Sequence, residues 1–113
     1  MLGVIIALGD VYAQIARLEE VRELMRATQA RAREQPGCIS YAFGETLDDP
    51  GHLLVVQRWR DQAALEEHYR SQAFAEYQAG IDALLVRSSE LRVYTVKESV
   101  RPIAPSGDPH HDD

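Results

Sequence analysis

Two kinds of hydrophobic pattern alternate along this chain. Short runs rich in β-branched, aliphatic and aromatic residues predict strands over residues 2–12, 38–47, 53–59 and 91–98. Apolar residues that recur at intervals of three and four predict helices between them. A long helix begins near Ile15, a short helix covers about 62–70, and a third helix contains Phe74, Tyr77, Ile81, Leu84 and Leu85.

Turn-forming and capping residues mark the ends of these elements. Pro36-Gly37 ends the long helix, because proline lacks an amide donor and disfavours helical geometry in the residue before it. Asp48, Asp49, Pro50 and Gly51 form a turn, so the second and third strands are predicted to be a hairpin. Asp61 and Ser71 are predicted to be the N-caps of the two later helices, since their side-chain oxygens can accept from free amides.

The order strand, helix, strand, strand, two helices, strand is that of the split βαβ arrangement. It predicts an α+β fold with one four-stranded antiparallel sheet and helices on a single face. Apolar residues nevertheless occupy both parities of the strands near 39–43 and 53–59. Exposure of the second face would leave a large apolar patch. We therefore expect a homodimer that forms through the helix-free face of the sheet.

The hairpin also predicts which side chains share a face. With Leu47 opposite His52, one face carries small residues beside larger ones on the neighbouring strand: Ser40, Ala42, Gly44, Val55, Gln57 and Trp59. The other face is bulky and would fill a core or an interface with Ile39, Tyr41, Phe43, Leu54 and Val56. A shift of one residue exchanges these two assignments.

Length and composition predict one globular domain. The chain has 113 residues, of which 45% are hydrophobic and 27% charged, as in average globular proteins. We expect the folded domain to cover residues 1–98. Residues 99–113 contain three prolines and little apolar surface, which predicts a flexible C-terminal tail.

Charge and cysteine content exclude several classes of partner. Twelve Lys and Arg against eighteen Asp and Glu give a formal net charge of −6, so nucleic acid is not an expected partner. The apolar stretch at residues 1–8 is too short to cross a bilayer, and no membrane association is expected. The single cysteine, Cys38, cannot form an internal disulfide, which favours a cytoplasmic location.

His68 is the first candidate for chemistry. It shares one stripe of the short helix with Ala64 and Leu65, so its imidazole should point toward the sheet. A histidine there could accept a phenolic proton near neutral pH. A purely structural role, in which His68 bonds a backbone carbonyl and ties the helix to the sheet, is the competing interpretation.

Aromatic residues provide further candidates for a binding site. Trp59 ends the third strand, where its indole N–H could hold a substrate oxygen while its ring stacks on an aromatic ligand. Packing in the core explains the same residue equally simply. Tyr69, Tyr77 and Tyr94 could offer hydroxyl groups to a phenolic substrate, although tyrosines are more often packed with the hydroxyl at the surface.

Several short motifs together resemble those of the antibiotic biosynthesis monooxygenase family. They are Pro36-Gly37-Cys38, the turn 48–51, the series Trp59, Asp61, Ala64, His68, and the segment 71–74. The resemblance covers about residues 3–97 and implies a dimeric α+β barrel of ferredoxin-like subunits. It also implies oxygenation of a quinol-like or anthrone-like aromatic by molecular oxygen, with no metal, haem or flavin cofactor.

The resemblance and the residue patterns together give a set of expected site residues. We expect His68 and Trp59 to be catalytic, and we expect the substrate to bind Val55, Gln57, Leu65, Phe74, Tyr77 and Tyr94. Two positions depart from the family's pattern. Many relatives carry Glu where this chain has Gln57, and haem-degrading relatives carry a histidine shortly after the position of Phe74, where this chain has none. Haem degradation is therefore not expected.

The predicted function is cofactor-independent monooxygenation of a small aromatic molecule by a homodimer. Two alternatives stay open at this point. The first is a non-catalytic dimeric barrel that binds a small aromatic or lipophilic ligand. The second is an isomerase or lyase on the same scaffold, because one fold can carry several chemistries.

Overall fold

One antiparallel sheet organises the chain, with its strands in the order β2, β3, β1, β4. The computed structural model describes residues 3–102, so most of the predicted tail, residues 103–113, lies outside the described part. The strands are β1 (Ile5–Tyr12), β2 (Cys38–Glu45), β3 (His52–Trp59) and β4 (Glu90–Thr95). The helices are α1 (Leu18–Arg33), α2 (Gln62–Tyr69) and α3 (Gln72–Ile81). This order confirms the predicted α+β ferredoxin-like fold.

Capping residues and glycines explain where several elements begin. Asp61 accepts from the amide of Ala64 at 2.9 Å, and Ser71 accepts from the amide of Phe74 at 3.1 Å, which confirms both predicted N-caps. Gly37 and Gly51 have φ angles of 85° and 86°. Both glycines lie in the turns that precede β2 and β3, where a side chain would strain the left-handed backbone.

Two predicted helix ends are wrong. Ile15 lies in a 3-10 turn (Ile15–Arg17) that precedes α1, and it is 61% exposed rather than on the buried stripe. The tighter turn rotates its side chain away from the row that α1 buries. The second wrong end belongs to the third helix. α3 ends at Ile81, and a 3-10 turn (Asp82–Leu84) follows it. Leu85 is therefore not helical, and it forms an isolated β-bridge with Ala13.

The predicted register of the hairpin is also wrong, by one residue. The amide of Thr46, not Leu47, bonds the carbonyl of His52, and Tyr41 pairs with Gln57 while Phe43 pairs with Val55. The connection between the strands is one residue longer than expected. Tyr41 and Phe43 therefore share the helix-covered face with Trp59, and the small residues lie on the other face: Ser40, Ala42 and Gly44.

The core lies between the sheet and the helices and has two parts. One part joins α1 and α3 to the sheet through Val11, Val21, Met25, Leu53, Tyr77 and Ile81. The other part surrounds the fully buried Trp59 and contains Ile5, Ala32, Tyr41, Val55, Ala64 and Leu65. Between these two parts, the side chains of β2 and β3 border the cavity described below.

The helix-free face of the sheet retains apolar side chains at the surface. Leu8, Leu54, Val56 and Tyr94 on this face are 38–47% exposed. The same face also carries two arginines. Arg58 is the cross-strand partner of Ile6, and Arg92 is the cross-strand partner of Leu8. Among residues 3–102, no helix has the length and apolar character needed to cross a membrane.

Candidate functional site

A cavity of about 320 Å³ lies between the helix-covered face of β2 and β3 and helix α3. Five aromatic rings contribute to its wall: Tyr41, Phe43, Tyr69, Phe74 and Tyr77. Exposed polar residues form its rim, among them Gln78, Asp82, Ser88, Ser89 and Glu90. No Lys, Arg or His is among the described residues that line it. The cavity therefore suits a flat and largely apolar molecule without a negative charge.

The structure brings together half of the residues expected in the site. Val55, Gln57, Phe74 and Tyr77 line the cavity. Trp59, Leu65 and His68 are 0–2% exposed and lie behind its wall, not on it. Tyr94 pairs with Ile6 on the helix-free face, which places it on the opposite side of the sheet.

Tyr41 and Phe43 are cavity residues that the predicted hairpin register assigned to the other face. Each ring lies beside its cross-strand partner, Gln57 for Tyr41 and Val55 for Phe43. The alternation of large and small residues along β2 could have identified both residues. It would have done so if the connection between β2 and β3 had been taken as one residue longer. That length depends on the bonds of Thr46 to Asp49 and His52, which no pattern of hydrophobic residues specifies.

His68 is enclosed by aromatic rings. Its ring stacks on Trp59 with centroids 4.8 Å apart, and it meets the rings of Tyr41 and Phe74 at 5.2 and 5.3 Å. The residue is 1% exposed, and this burial lowers the pKa of His68 from 6.5 to about 4. The imidazole is therefore neutral near pH 7, with one nitrogen that donates and one that accepts.

A chain of hydrogen bonds determines which nitrogen carries the proton. The Ser71 hydroxyl donates to the carbonyl of His68 at 2.7 Å, so it can only accept from the amide group of Gln35 at 3.2 Å. Gln35 therefore turns its oxygen to Nδ1 of His68, at 2.9 Å. Nδ1 donates this bond, and the lone pair of Nε2 faces the hydroxyl of Tyr41 at 3.4 Å.

Gln57 and Trp59 form a second buried pair. They are two residues apart on β3 and hence on one face, and the indole N–H of Trp59 donates to Oε1 of Gln57 at 2.9 Å. Gln57 is 3% exposed. Its amide nitrogen has no partner among residues 3–102, and Gln57 lines the cavity, so an N–H donor is available there.

The tyrosines of the cavity keep their protons near neutral pH. Burial raises the pKa of Tyr41 and of Tyr77 well above 10, and it raises the pKa of Tyr69 in the same direction. The hydroxyl of Tyr69 is buried and has no hydrogen-bond partner in the described part of the chain. A ligand with a polar group could supply the missing partner.

Cys38 and the acidic residues add no obvious chemistry to this cavity. Cys38 is half-buried at the start of β2, and burial raises the pKa of its thiol, which opposes a nucleophilic role. Within residues 3–102, no group of three or more His, Cys, Asp or Glu side chains is arranged to hold a metal ion. The buried polar groups that can act on a ligand are therefore those of the tyrosines and Gln57, and the exposed polar residues of the rim can contact it from outside.

Solved structures share this architecture. A Mycobacterium tuberculosis protein, Rv0793, superimposes with a TM-score of 0.80 at 26% identity, over 87% of this chain and 99% of that one. A Deinococcus radiodurans protein, described as a "putative antibiotic biosynthesis monooxygenase", reaches 0.83 at 22% identity, over 88% and 99% of the two chains. The second likeness concerns the fold alone.

Sequence comparison extends the likeness. The chain is 30% identical to the uncharacterized protein sll1783 of Synechocystis over 84% of its length, and 36% identical to the "Putative monooxygenase Rv0793" over 59%. Each match covers 65% of the relative's own length. The family profile described as "Antibiotic biosynthesis monooxygenase" matches residues 4–80. The chain therefore belongs to the antibiotic biosynthesis monooxygenase family.

Proposed function

We propose that this protein is a cofactor-independent monooxygenase that acts on a quinol-like or anthrone-like aromatic molecule. The observation that carries the proposal is the neutral Tyr41–His68 pair at the wall of an aromatic cavity. Aromatic walls favour a planar ring system, and a neutral imidazole behind a tyrosine hydroxyl provides a route for a phenolic or enolic proton.

The proposed reaction balances without an external reductant. For an anthrone, the substrate loses a proton to form an electron-rich anion, which reacts with molecular oxygen. One oxygen atom becomes a ring carbonyl, and the other leaves as water with the two hydrogens of the original CH2 group. The substrate itself supplies the electrons, and the residues of this chain bind it, orient it and move its proton.

His68 acts through Tyr41 in this proposal. As the hydroxyl of a quinol, or of the enol (anthrol) tautomer of an anthrone, gives its proton to the Tyr41 oxygen, the Tyr41 proton moves to Nε2 of His68. With a pKa of about 4, His68 is a weak base, so the imidazolium forms only as the partner of the developing substrate anion. Trp59, expected from sequence to be catalytic, here serves as a positioning residue that holds Gln57.

We further propose that the protein functions as a homodimer through the helix-free face. Family members are typically dimeric. Leu8, Leu54 and Val56 give that face an exposed apolar surface, and an opposing sheet would remove it from water. The two sheets would then form the barrel that the family resemblance implies.

The experiment is oxygen uptake with anthrone, corrected for its spontaneous oxidation, together with the appearance of anthraquinone. We expect uptake with the wild-type protein and a loss of roughly 10²-fold or more in Tyr41→Phe and His68→Ala, the usual scale for general acid–base groups. Tyr12→Phe, on the helix-free face, is the matched control and should retain the rate.

The same assay separates the alternatives. A thermal shift with anthrone or anthraquinone in the absence of any uptake above background would favour a non-catalytic binding protein. Conversion of an oxidised metabolite without oxygen uptake would favour an isomerase or lyase. Equal rates in Tyr41→Phe and the wild type would contradict the role given to the Tyr41–His68 pair.

A further inference from the structure

Two neighbouring polar side chains in the cavity wall have opposite hydrogen-bonding capacity. Tyr41 and Gln57 are cross-strand partners on β2 and β3, so they lie side by side on the helix-covered face. Both are at least 97% buried. Each bonds a buried residue behind the wall with one of its polar functions, so only its other function is left to bond a ligand.

Tyr41 can only accept from a ligand. Its hydroxyl proton is directed at Nε2 of His68, which cannot donate, because the proton of His68 is on Nδ1 and bonded to Gln35. Ser71 maintains this arrangement by accepting from the Gln35 amide group. The lone pairs of its oxygen are therefore the only polar function that Tyr41, a residue of the cavity wall, can offer to a ligand.

Gln57 can only donate to a ligand. An indole nitrogen is a donor and never an acceptor, so the Trp59 N–H requires the oxygen of Gln57. The amide NH2 of Gln57 is then left for the cavity. A glutamate, which many relatives carry at this position, would offer an acceptor instead. The glutamine therefore changes which group of a ligand can be bound here.

We infer that the cavity selects a neutral aromatic hydroxyketone, with a hydroxyl that donates to Tyr41 and a carbonyl that accepts from Gln57. The inference rests on the proposed function for the identity of the reaction, and it adds the polarity of the substrate. Asp82 and Glu90 at the rim, with no cation among the described lining residues, disfavour carboxylate or phosphate ligands.

The test is calorimetric binding of matched bicyclic probes that do not turn over. The 6- and 7-hydroxy-1-tetralones carry both groups, 1-tetralone carries only the carbonyl, and 5,6,7,8-tetrahydro-2-naphthol carries only the hydroxyl. We expect the better hydroxytetralone to bind roughly 2- to 10-fold more tightly than either single-function probe, the scale of one net hydrogen bond.

Two variants assign the groups. Tyr41→Phe should remove the gain from the hydroxyl and leave the affinity for 1-tetralone unchanged. Gln57→Met should remove the gain from the carbonyl and leave the affinity for tetrahydronaphthol unchanged. Gln57→Met also leaves the Trp59 N–H without its acceptor. The double variant Gln57→Met/Trp59→Phe therefore repeats the measurement with that donor removed. Tyr12→Phe is the control with unchanged affinities.

The outcomes separate this inference from the proposed function. The inference would be overturned by equal affinities for all probes. It would also be overturned if Tyr41→Phe lowered the affinity for every probe by the same factor. Neither result would contradict the proposed oxidation of anthrone. Anthrone turnover without binding of any tetralone would also overturn it. The expected pattern of affinities without oxygen uptake would retain the inferred polarity and reject the oxygenase.

Discussion

Polar side chains are buried on the helix-covered side of the sheet and exposed to solvent on its helix-free side. On the helix-covered face, Gln57 and His68 are 3% and 1% exposed, and each is bonded to another buried side chain. On the helix-free face, Arg58 reaches the hydroxyl of Ser40 at 3.4 Å in contact with solvent. Burial makes an unmade hydrogen bond costly, so it fixes orientation, whereas solvent can replace a bond at the surface.

The apolar residues differ between the faces in the same sense. Along β3, Leu53, Val55 and Trp59 are buried against helices, while Leu54 and Val56 are each 38% exposed. The first set has its partners within the chain. Among residues 3–102, the second set has only its neighbours in the sheet and no covering helix, so the proposed association should act on the helix-free face.

A charge on the helix-free face should have the largest effect. We expect Val56→Glu to weaken the proposed dimer by about 100-fold or more, because a carboxylate would have to lose its water to be buried between the sheets. Sedimentation over a concentration series measures this. Val86→Glu places the same charge on a 64% exposed residue outside the sheet and should not change association.

The neighbouring residue of β3 sharpens that comparison. Val55→Ala, on the helix-covered face, should lower stability without changing the association constant. A wild-type protein that sediments as a monomer at micromolar concentration would remove the basis for the proposed interface.

Acid should destabilise the protein through the buried His68. Folded His68, with its pKa of about 4, stays neutral where unfolded histidine, with a pKa near 6.5, takes up a proton. Protons therefore favour the unfolded state, and stability should fall as pH drops from 6.5 to 4, by up to about 3 kcal/mol. Denaturant titrations of wild type and His68→Gln at several pH values measure the difference.

His68→Gln should lose this part of the pH dependence, because glutamine takes up no proton in either state. An unchanged slope in His68→Gln would show that His68 is not held neutral by the fold.

The smallest expected effect compares two helix caps. Ser71→Ala and Asp61→Ala should each cost about 1 kcal/mol, since each side chain accepts from one amide in the first turn of a helix. Only Ser71 also contacts Gln35, so only Ser71→Ala should loosen the tautomer preference of His68. Thermal unfolding and the ¹⁵N shifts of His68 measure the two effects, and a fixed tautomer in Ser71→Ala would contradict the role of this chain of bonds.

Local sequence determined the elements and several of their contacts. The periods of two and of three to four predicted the order of strands and helices, and Asp61 and Ser71 marked two helix starts. The stripe of Ala64, Leu65 and His68 predicted a buried face of α2, and all three are buried. These features depend on neighbours within a few residues, so the local sequence contains them.

Tertiary structure decided the register of the hairpin and thereby the wall of the cavity. One extra residue in the connection moved Tyr41 to the face of Gln57 and Trp59. The tautomer of His68 depends on Gln35, which is 33 residues away in sequence. The period of the hydrophobic pattern specifies which residues alternate along a strand. Which of the two faces is buried depends on how the strands pair and where the helices pack, and those contacts are not local.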